Sequence, residues 1–249
     1  MSKVSRLFVA AGVLAALSFG SSPATAGGKL PLSLCDPTQH EFTTSVTNEY
    51  FPLQPGQVST FFGFDEGEPL GLRITVTNQT ETLYAVTDHE VTTLVVEELE
   101  WVDEDGDGRV DAQEDKIEVS TNYFAQTEDG TVCYFGEVVD IYEDGKVVSH
   151  DGSWRADEPG YAPGIFMPAS PQKGQRWQME NAPEVAMDEA TIKAVRTVSL
   201  DSGTFEQAIQ VKDCNPLEKP IDCGIKYYAP EVGLIVDGPV ELTSFEPSN

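Results

Sequence analysis

A hairpin signal decides the fold: residues 123–135 read YFAQTEDGTVCYF. Two runs of aromatic and β-branched side chains flank Asp129-Gly130, a dipeptide that favours the positive φ angles of a tight turn between strands. Similar glycine-containing turn signals recur at residues 144–145 and 202–203, each beside a run rich in valine, threonine or isoleucine. We therefore predict antiparallel strands that are joined by short turns.

The sequence on either side of this hairpin alternates with period two. Residues 72–77, LRITVT, place apolar and polar side chains in turn, as a half-buried strand does. Further strands are expected at residues 58–64, 71–77, 82–87, 90–96, 191–199, 205–211, 225–229 and 233–236. The pattern predicts an all-β fold, an antiparallel meander that forms a curved half-barrel, a closed barrel or a sandwich. Alternation is common to all three shapes and does not separate them.

The composition predicts a folded domain that avoids polyanions. The chain has 249 residues and is 40% apolar, with 12 Phe, 8 Tyr and 3 Trp, so it can build a core. Its formal net charge of -27 repels phosphate backbones and anionic membrane surfaces, which excludes nucleic acid as a partner. The same charge attracts cations. No segment after residue 26 is long and apolar enough to span a membrane.

The N-terminus has the pattern of a targeting signal. Lys3 and Arg6 precede an apolar run, residues 7–20, that is too short to cross a bilayer comfortably. The A-x-A triplet at residues 24–26 is typical of a cleavage site. We predict a signal peptide over residues 1–26 and a secreted or periplasmic, soluble protein. The mature chain, 27–249, is expected to form a single β-rich domain.

An oxidising compartment favours disulfide bonds between the four cysteines. Four cysteines allow three pairings. Cys214 and Cys223 enclose a polar stretch with two prolines, so we expect a local bond that closes this loop. Cys35 and Cys133 would then pair across the fold. No C-x-x-C motif occurs in the chain, which argues against a zinc site.

The sharpest chemical signal is in residues 103–114, DEDGDGRVDAQE, which match the EF-hand calcium pattern D-x-D/N-x-D/N-G-x5-E at every defining position. Calcium takes about six to eight oxygen ligands at roughly 2.3–2.6 Å, and alternate residues of a tight loop point at its centre. The pattern assigns ligand roles to the carboxylates of Asp103, Asp105 and Asp107, the carbonyl of Arg109, Asp111 directly or through water, and both oxygens of Glu114. An ordinary acidic turn is the alternative.

The segments on both sides of residues 103–114 depart from a complete EF-hand, which has a helix on each side. Residues 91–96 are rich in β-branched side chains and residues 117–123 alternate with period two, so both sides are predicted to be strands. The loop would then lie at the tip of a hairpin, where no helix pair can open as in a calcium sensor. We expect a structural site with a Kd on the order of 10⁻⁴ to 10⁻³ M.

Several other segments form a recognisable set across the chain. They are NEYFPLQPG at 48–56, YFAQ at 123–126 with DG at 129–130, YFGE at 134–137, GSW at 152–154, PGIFMPA at 163–169, and KYYAPEVGL at 226–234. This set resembles a family of uncharacterised secreted bacterial proteins. The resemblance implies a shared β-rich fold, implies no activity, and makes residues 103–114 look like an insertion.

Signatures of a hydrolase are missing from the sequence. No G-x-S-x-G or H-E-x-x-H motif occurs, and His40, His89 and His150 lie far apart along the chain. We therefore expect a binding or structural protein, with calcium as its partner, rather than an enzyme. Two alternatives remain. One is a carrier of a small apolar ligand inside the curved sheet, with residues 159–174 as its lid. The other is a secreted hydrolase, which needs a cleft that unites a histidine with Asp or Ser.

Overall fold

A computed structural model describes residues 27–84, 89–110 and 114–248. The predicted signal peptide lies outside the described residues. Among them the regular structure consists of strands and one 3-10 turn, Leu32–Cys35. The strands are β1 (Phe42–Thr43), β2 (Val46–Asn48), β3 (Phe51–Leu53), β4 (Val58–Asp65), β5 (Glu68–Tyr84), β6 (Glu90–Val102), β7 (Lys116–Thr127), β8 (Val132–Glu143), β9 (Lys146–Ser149), β10 (Trp154–Arg155), β11 (Gly164–Met167), β12 (Arg176–Gln178), β13 (Glu189–Leu200), β14 (Gly203–Asn215), β15 (Asp222–Ala229), β16 (Gly233–Asp237) and β17 (Val240–Glu246).

One antiparallel sheet of 15 strands dominates the molecule, and β2 and β3 pair separately. Its main path runs β10-β8-β7-β6-β5-β4-β17-β16-β15-β14-β13-β12, with β1 on β7 and with β9 and β11 on β8. Most neighbours in this path are also neighbours along the chain, as in a meander, and β17 joins β4. The predicted all-β, antiparallel class is confirmed. No helix long and apolar enough to cross a membrane occurs in the described part of the chain.

The sheet curves strongly, so that strands from distant parts of the path share one core. Leu94 of β6 and Phe124 of β7 belong to the same buried cluster as Val211 of β14. Near the two ends of the path, the Ala162 N–H donates to the Asn181 carbonyl at 3.1 Å. The path nevertheless has two ends, so the closed barrel is wrong, and a curved sheet or sandwich describes the fold.

Strand β5 is longer and less regular than the sequence predicts. Residues 71–77 and 82–87 are predicted as two strands, but β5 runs through both as far as residue 84, and residues 85–87 lie outside the described part. A register shift against β6, between Val76 and Thr80, takes up the extra residues. The Thr77 hydroxyl donates to the Val95 carbonyl at 2.8 Å and bridges the two strands at this bulge.

The middle of the proline-rich segment 159–174 packs into the core. It contains β11, which pairs with β8, and the side chains of Ile165 and Met167 are buried. The Phe166 ring packs 4.3 Å from the ring of Phe51 and 4.8 Å from that of Phe124, measured between centroids. These three rings occupy the space between the segment and the sheet, which leaves less room for an apolar ligand beneath the segment.

Both predicted disulfide bonds are present. Cys35 bonds to Cys133, which ties the N-terminal segment to β8 across a sequence separation of 98. Cys214 bonds to Cys223 across a separation of 9, and these two residues lie opposite each other in the β14–β15 pair. The long bond therefore crosses the fold, whereas the short bond reinforces a ladder that backbone hydrogen bonds already hold.

Candidate metal centre

Residues 103–110 and Glu114, the described part of the acidic segment, lie between β6 and β7. Strand β6 ends at Val102, and β7 begins at Lys116. The Val102 N–H donates to the Asp115 carbonyl at 2.9 Å, so one backbone bond closes the ladder just outside the acidic segment. The prediction that strands flank this segment is confirmed.

Hydrogen bonds from its backbone and its side chain hold Asp103 in position. It is 0% exposed, and its N–H donates to the Pro69 carbonyl at 3.1 Å. Its Oδ1 accepts the Gly106 N–H at 3.1 Å, and its Oδ2 accepts the Gly108 N–H at 3.0 Å. The two glycines have φ angles of 70° and 72°, a region that a residue without a Cβ enters at little cost. The carboxyl group of Asp103 is thus removed from water and accepts hydrogen bonds from the loop around it.

The next two acidic residues turn the chain in the same way. Asp105 Oδ1 accepts the Asp107 N–H at 3.0 Å, and Asp107 Oδ1 accepts the Arg109 N–H at 2.8 Å. Such local bonds from a carboxylate to a backbone N–H stabilise tight turns. The acidic residues therefore shape the loop even before a ligand is considered.

Three carboxylates meet at the centre of this loop. Asp103, Asp105 and Glu114 each offer an oxygen, and these three atoms lie within 4.8 Å of one another. Asp103 is buried, Glu114 is half-buried and Asp105 is exposed. Like charges at this separation repel, and a metal ion would offset the repulsion. Hard carboxylate oxygens suit calcium or magnesium better than a soft metal.

The predicted ligands thus fall into three groups. The structure brings Asp103, Asp105 and Glu114 together, as the calcium pattern requires. Asp107 lies in the loop but is exposed and outside this group of three. The carbonyl of Arg109 stays a predicted ligand, and Asp111 lies outside the described residues.

A second set of carboxylates, which sequence analysis missed, lies on the inner side of the sheet, and most of its members interact with Lys226. Lys226 Nζ lies 3.1 Å from an oxygen of Asp237 and 3.6 Å from an oxygen of Asp213. We name this set the interior acidic patch; it consists of Glu98, Glu100, Glu118, Glu137, Glu180, Asp188, Asp213 and Asp237. Period-two alternation could have predicted part of this set, because Glu98 and Glu100 lie on the same face of β6 as the buried Leu94 and Val96.

Burial makes several groups of this patch hold protons near neutral pH. It raises the pKa of Glu98, of Glu100 and of Glu180 from 4.5 to about 7 in each case. Burial also raises the pKa of Glu137, and the nearby charge of Glu180 adds to this effect. Burial opposes the charge of Lys226, but the carboxylates around it outweigh burial and raise its pKa. The patch is therefore a proton-binding network around one ammonium group.

Two histidines, His40 and His150, each lie beside a carboxylate. His150 Nδ1 lies 2.8 Å from Asp140 Oδ1 and 3.0 Å from the Val139 carbonyl. Ser153 Oγ accepts the Val139 N–H at 2.9 Å. No hydrogen bond joins His150 to Ser153 in the described part of the chain. His40 contacts Glu128 instead, at 3.0 Å.

Comparison with known proteins adds one solved structure. No family model and no curated protein matches the chain. The chain is similar to the crystal structure of a candidate exported protein with a YmcC-like fold from Bacteroides fragilis, with 14% identity over 80% of this chain and 100% of that chain. The TM-score is 0.38, and we draw no conclusion from this likeness.

Proposed function

We propose that residues 103–114 bind one calcium ion, which stiffens the β6–β7 hairpin tip of an exported β-protein. The observation that carries the proposal is the convergence of Asp103, Asp105 and Glu114 around the buried carboxylate of Asp103. A buried carboxylate is costly unless it is paired or coordinates a metal. The predicted signal peptide supports export to a compartment outside the cytoplasm, where calcium is abundant.

The spacing of the three oxygens suits calcium. Ligand oxygens on opposite sides of this ion, at roughly 2.3–2.6 Å each, are about 4.6–5.2 Å apart, and those on adjacent sides are closer. The three carboxylate oxygens lie within 4.8 Å of one another, which is close enough for all three to bind one such ion. The remaining ligands would be Asp107, the Arg109 carbonyl and Asp111, and the exposed Asp107 side chain would turn inward to bind.

The surroundings favour a structural role over a regulatory one. The loop leaves and enters strands of a 15-stranded sheet, and the Asp103 N–H is bonded to the Pro69 carbonyl. A calcium switch needs an element with two arrangements, such as a pair of helices that opens. With a Kd of about 0.1 mM, calcium at about 2 mM would stabilise the folded state by roughly 1.8 kcal/mol.

Calorimetric calcium titration of the mature chain tests this proposal. We expect one ion per chain, and we expect Asp105→Ala and Glu114→Gln each to lose most of the affinity, since each removes a ligand oxygen with its charge. A stabilisation of about 1.8 kcal/mol would raise the Tm by about 4–7 °C in calcium relative to chelator. Asp115→Asn is the matched control, because Asp115 adjoins the loop, is exposed and is no part of the calcium pattern.

Two results would contradict the proposal. One is the absence of binding heat and of any Tm shift up to about 5 mM calcium, which is well above the expected Kd. The other is an equal loss of affinity in Asp115→Asn and in the two ligand variants, which would indicate general attraction by negative charge.

A further inference from the structure

A polar cleft adjoins the calcium loop on the outer side of β4, β5 and β17. It has a volume of about 450 Å³, and Arg73, Arg109, Thr60 and Ser244 are among the residues that line it. A space of this size admits an anion together with part of the small molecule that carries it. Its polar walls do not suit an apolar ligand.

The strand register places three of these side chains in one row. Arg73 lies opposite Thr60 in the β4–β5 pair, and Ser244 lies opposite Thr60 in the β4–β17 pair. Arg73 alternates with Leu72, which is buried in the core, so Arg73 points away from the core. The calcium loop forms the remaining wall and packs closely on β4, because a Cβ on Gly108 would lie 3.5 Å from the Thr60 methyl group.

The two arginines of the cleft are without partners in the part of the chain that the structure describes. There, neither guanidinium forms an ion pair or a hydrogen bond with a side chain. Arg155, by contrast, lies 3.1 Å from Asp157 and 3.4 Å from Glu81. Because no ion pair holds them, the guanidinium groups of both arginines have hydrogen-bond donors available for a ligand in the cleft.

The charge of the cleft depends on the calcium loop. Asp107 and Glu246 also line it, so its two positive and two negative side chains balance without an ion. Asp107 is one of the proposed calcium ligands. Calcium would bring two positive charges to the loop that holds this carboxylate and would make the electrostatic potential in the cleft more positive. Occupancy of the loop and affinity for an anion in the cleft are then linked, and the linkage acts in both directions.

We infer that the cleft between Arg73 and Arg109 binds a small oxyanion, and that calcium in the adjacent loop strengthens this binding. The planar guanidinium groups donate paired hydrogen bonds to sulfate, phosphate ester or carboxylate oxygens. The hydroxyls of Thr60 and Ser244 add neutral donors beside them. The proposed anion contacts depend only on the two arginines. The proposed effect of calcium on anion binding rests on the proposed calcium function.

Sulfate titration of the calcium-loaded mature chain, followed by NMR at the backbone amides of Thr60 and Gly108, tests the inference. We expect saturable shifts there, about tenfold weaker binding in Arg73→Gln and in Arg109→Gln, and at least about fivefold weaker binding in chelator. Arg196→Gln is the matched control, since it removes the same charge from a residue that stacks on Tyr227 outside the cleft. Titration with acetate tests whether the cleft prefers a planar carboxylate to tetrahedral sulfate. Titration with chloride measures the effect of ionic strength alone.

The possible outcomes separate this inference from the calcium proposal. Shifts that do not saturate, or that persist unchanged in Arg73→Gln, overturn the anion site even if calorimetry shows calcium binding. Sulfate binding of equal strength in calcium and in chelator overturns the coupling. If calorimetry without sulfate shows no calcium binding, the calcium proposal fails, while arginine-dependent sulfate binding would still support the anion contacts.

Discussion

At the scale of the residue, Gly71 leaves space that a buried tryptophan fills. Gly71 lies opposite Trp101 in the β5–β6 pair, and the Trp101 side chain is 0% exposed. A Cβ at Gly71 would overlap the indole ring. Because Trp101 stands two residues before Asp103, this packing lies next to the point where β6 ends and the acidic loop begins.

Gly71→Ala should therefore destabilise the fold by about 1–3 kcal/mol, since the indole must move to admit a methyl group. Denaturant unfolding in chelator measures the effect without any contribution from calcium. The double variant with Trp101→Phe should cost less than the sum of the two single changes, because the smaller ring gives way. Strict additivity would show that the overlap is not the cause.

At the scale of the element, hairpins were predictable because their signals are local. Asp129-Gly130 and the strands beside it stand together in the sequence, and the β7–β8 pair forms as predicted. The bulge in β5 was not predictable, because it follows from pairing with β6 and not from residues 77–79 themselves. The pairing of Gly164–Met167 with β8 was not predictable for a similar reason, since it depends on a strand that lies elsewhere in the chain.

The two disulfide bonds should differ in their effect on stability. Replacing Cys35 and Cys133 with alanine opens a loop with a separation of 98, which costs about 4.7 kcal/mol in the chain-entropy estimate. Replacing Cys214 and Cys223 opens one with a separation of 9, which costs about 2.7 kcal/mol. Thermal and denaturant unfolding of both double variants checks this order, and a larger loss for the short bond would contradict it.

At the scale of the whole molecule, curvature of the sheet assembles the interior acidic patch. Glu98 comes from β6 and Asp237 from β16, and both act on Lys226 of β15. On β6, for example, the face that carries the apolar Leu94 and Val96 carries Glu98 and Glu100 farther along the strand. Burial keeps part of this patch protonated, so the charge inside the protein changes near neutral pH.

This patch predicts that stability falls as the pH rises. The pKa of Glu98 is about 7 in the folded chain and 4.5 as an ordinary group, so between these values the folded state binds more protons than the unfolded state. Stability should then decrease from about pH 4.5 through pH 7. Thermal melts in chelator, so that calcium plays no part, follow this decrease.

Glu98→Gln should weaken that pH dependence, because glutamine cannot ionise. We expect a higher Tm than wild type at pH 8 and little change at pH 5. Glu97→Gln is the matched control, since Glu97 is the next residue of β6 and is exposed on the opposite face. Equal effects of the two substitutions would mean that overall charge, and not the interior acidic patch, governs the pH response.

The sequence alone determined the all-β class, the hairpin turns and the position of the acidic loop between two strands, and it favoured the disulfide pairing that the structure contains. Each of these rests on local patterns or on a small set of possible pairings. Only the tertiary structure decided that Asp103 is buried against Pro69, that carboxylates gather around Lys226, and that Arg73 and Arg109 share a cleft. These features join residues far apart in the chain, and their contacts depend on how strongly a 15-stranded sheet curves, which period-two alternation does not encode.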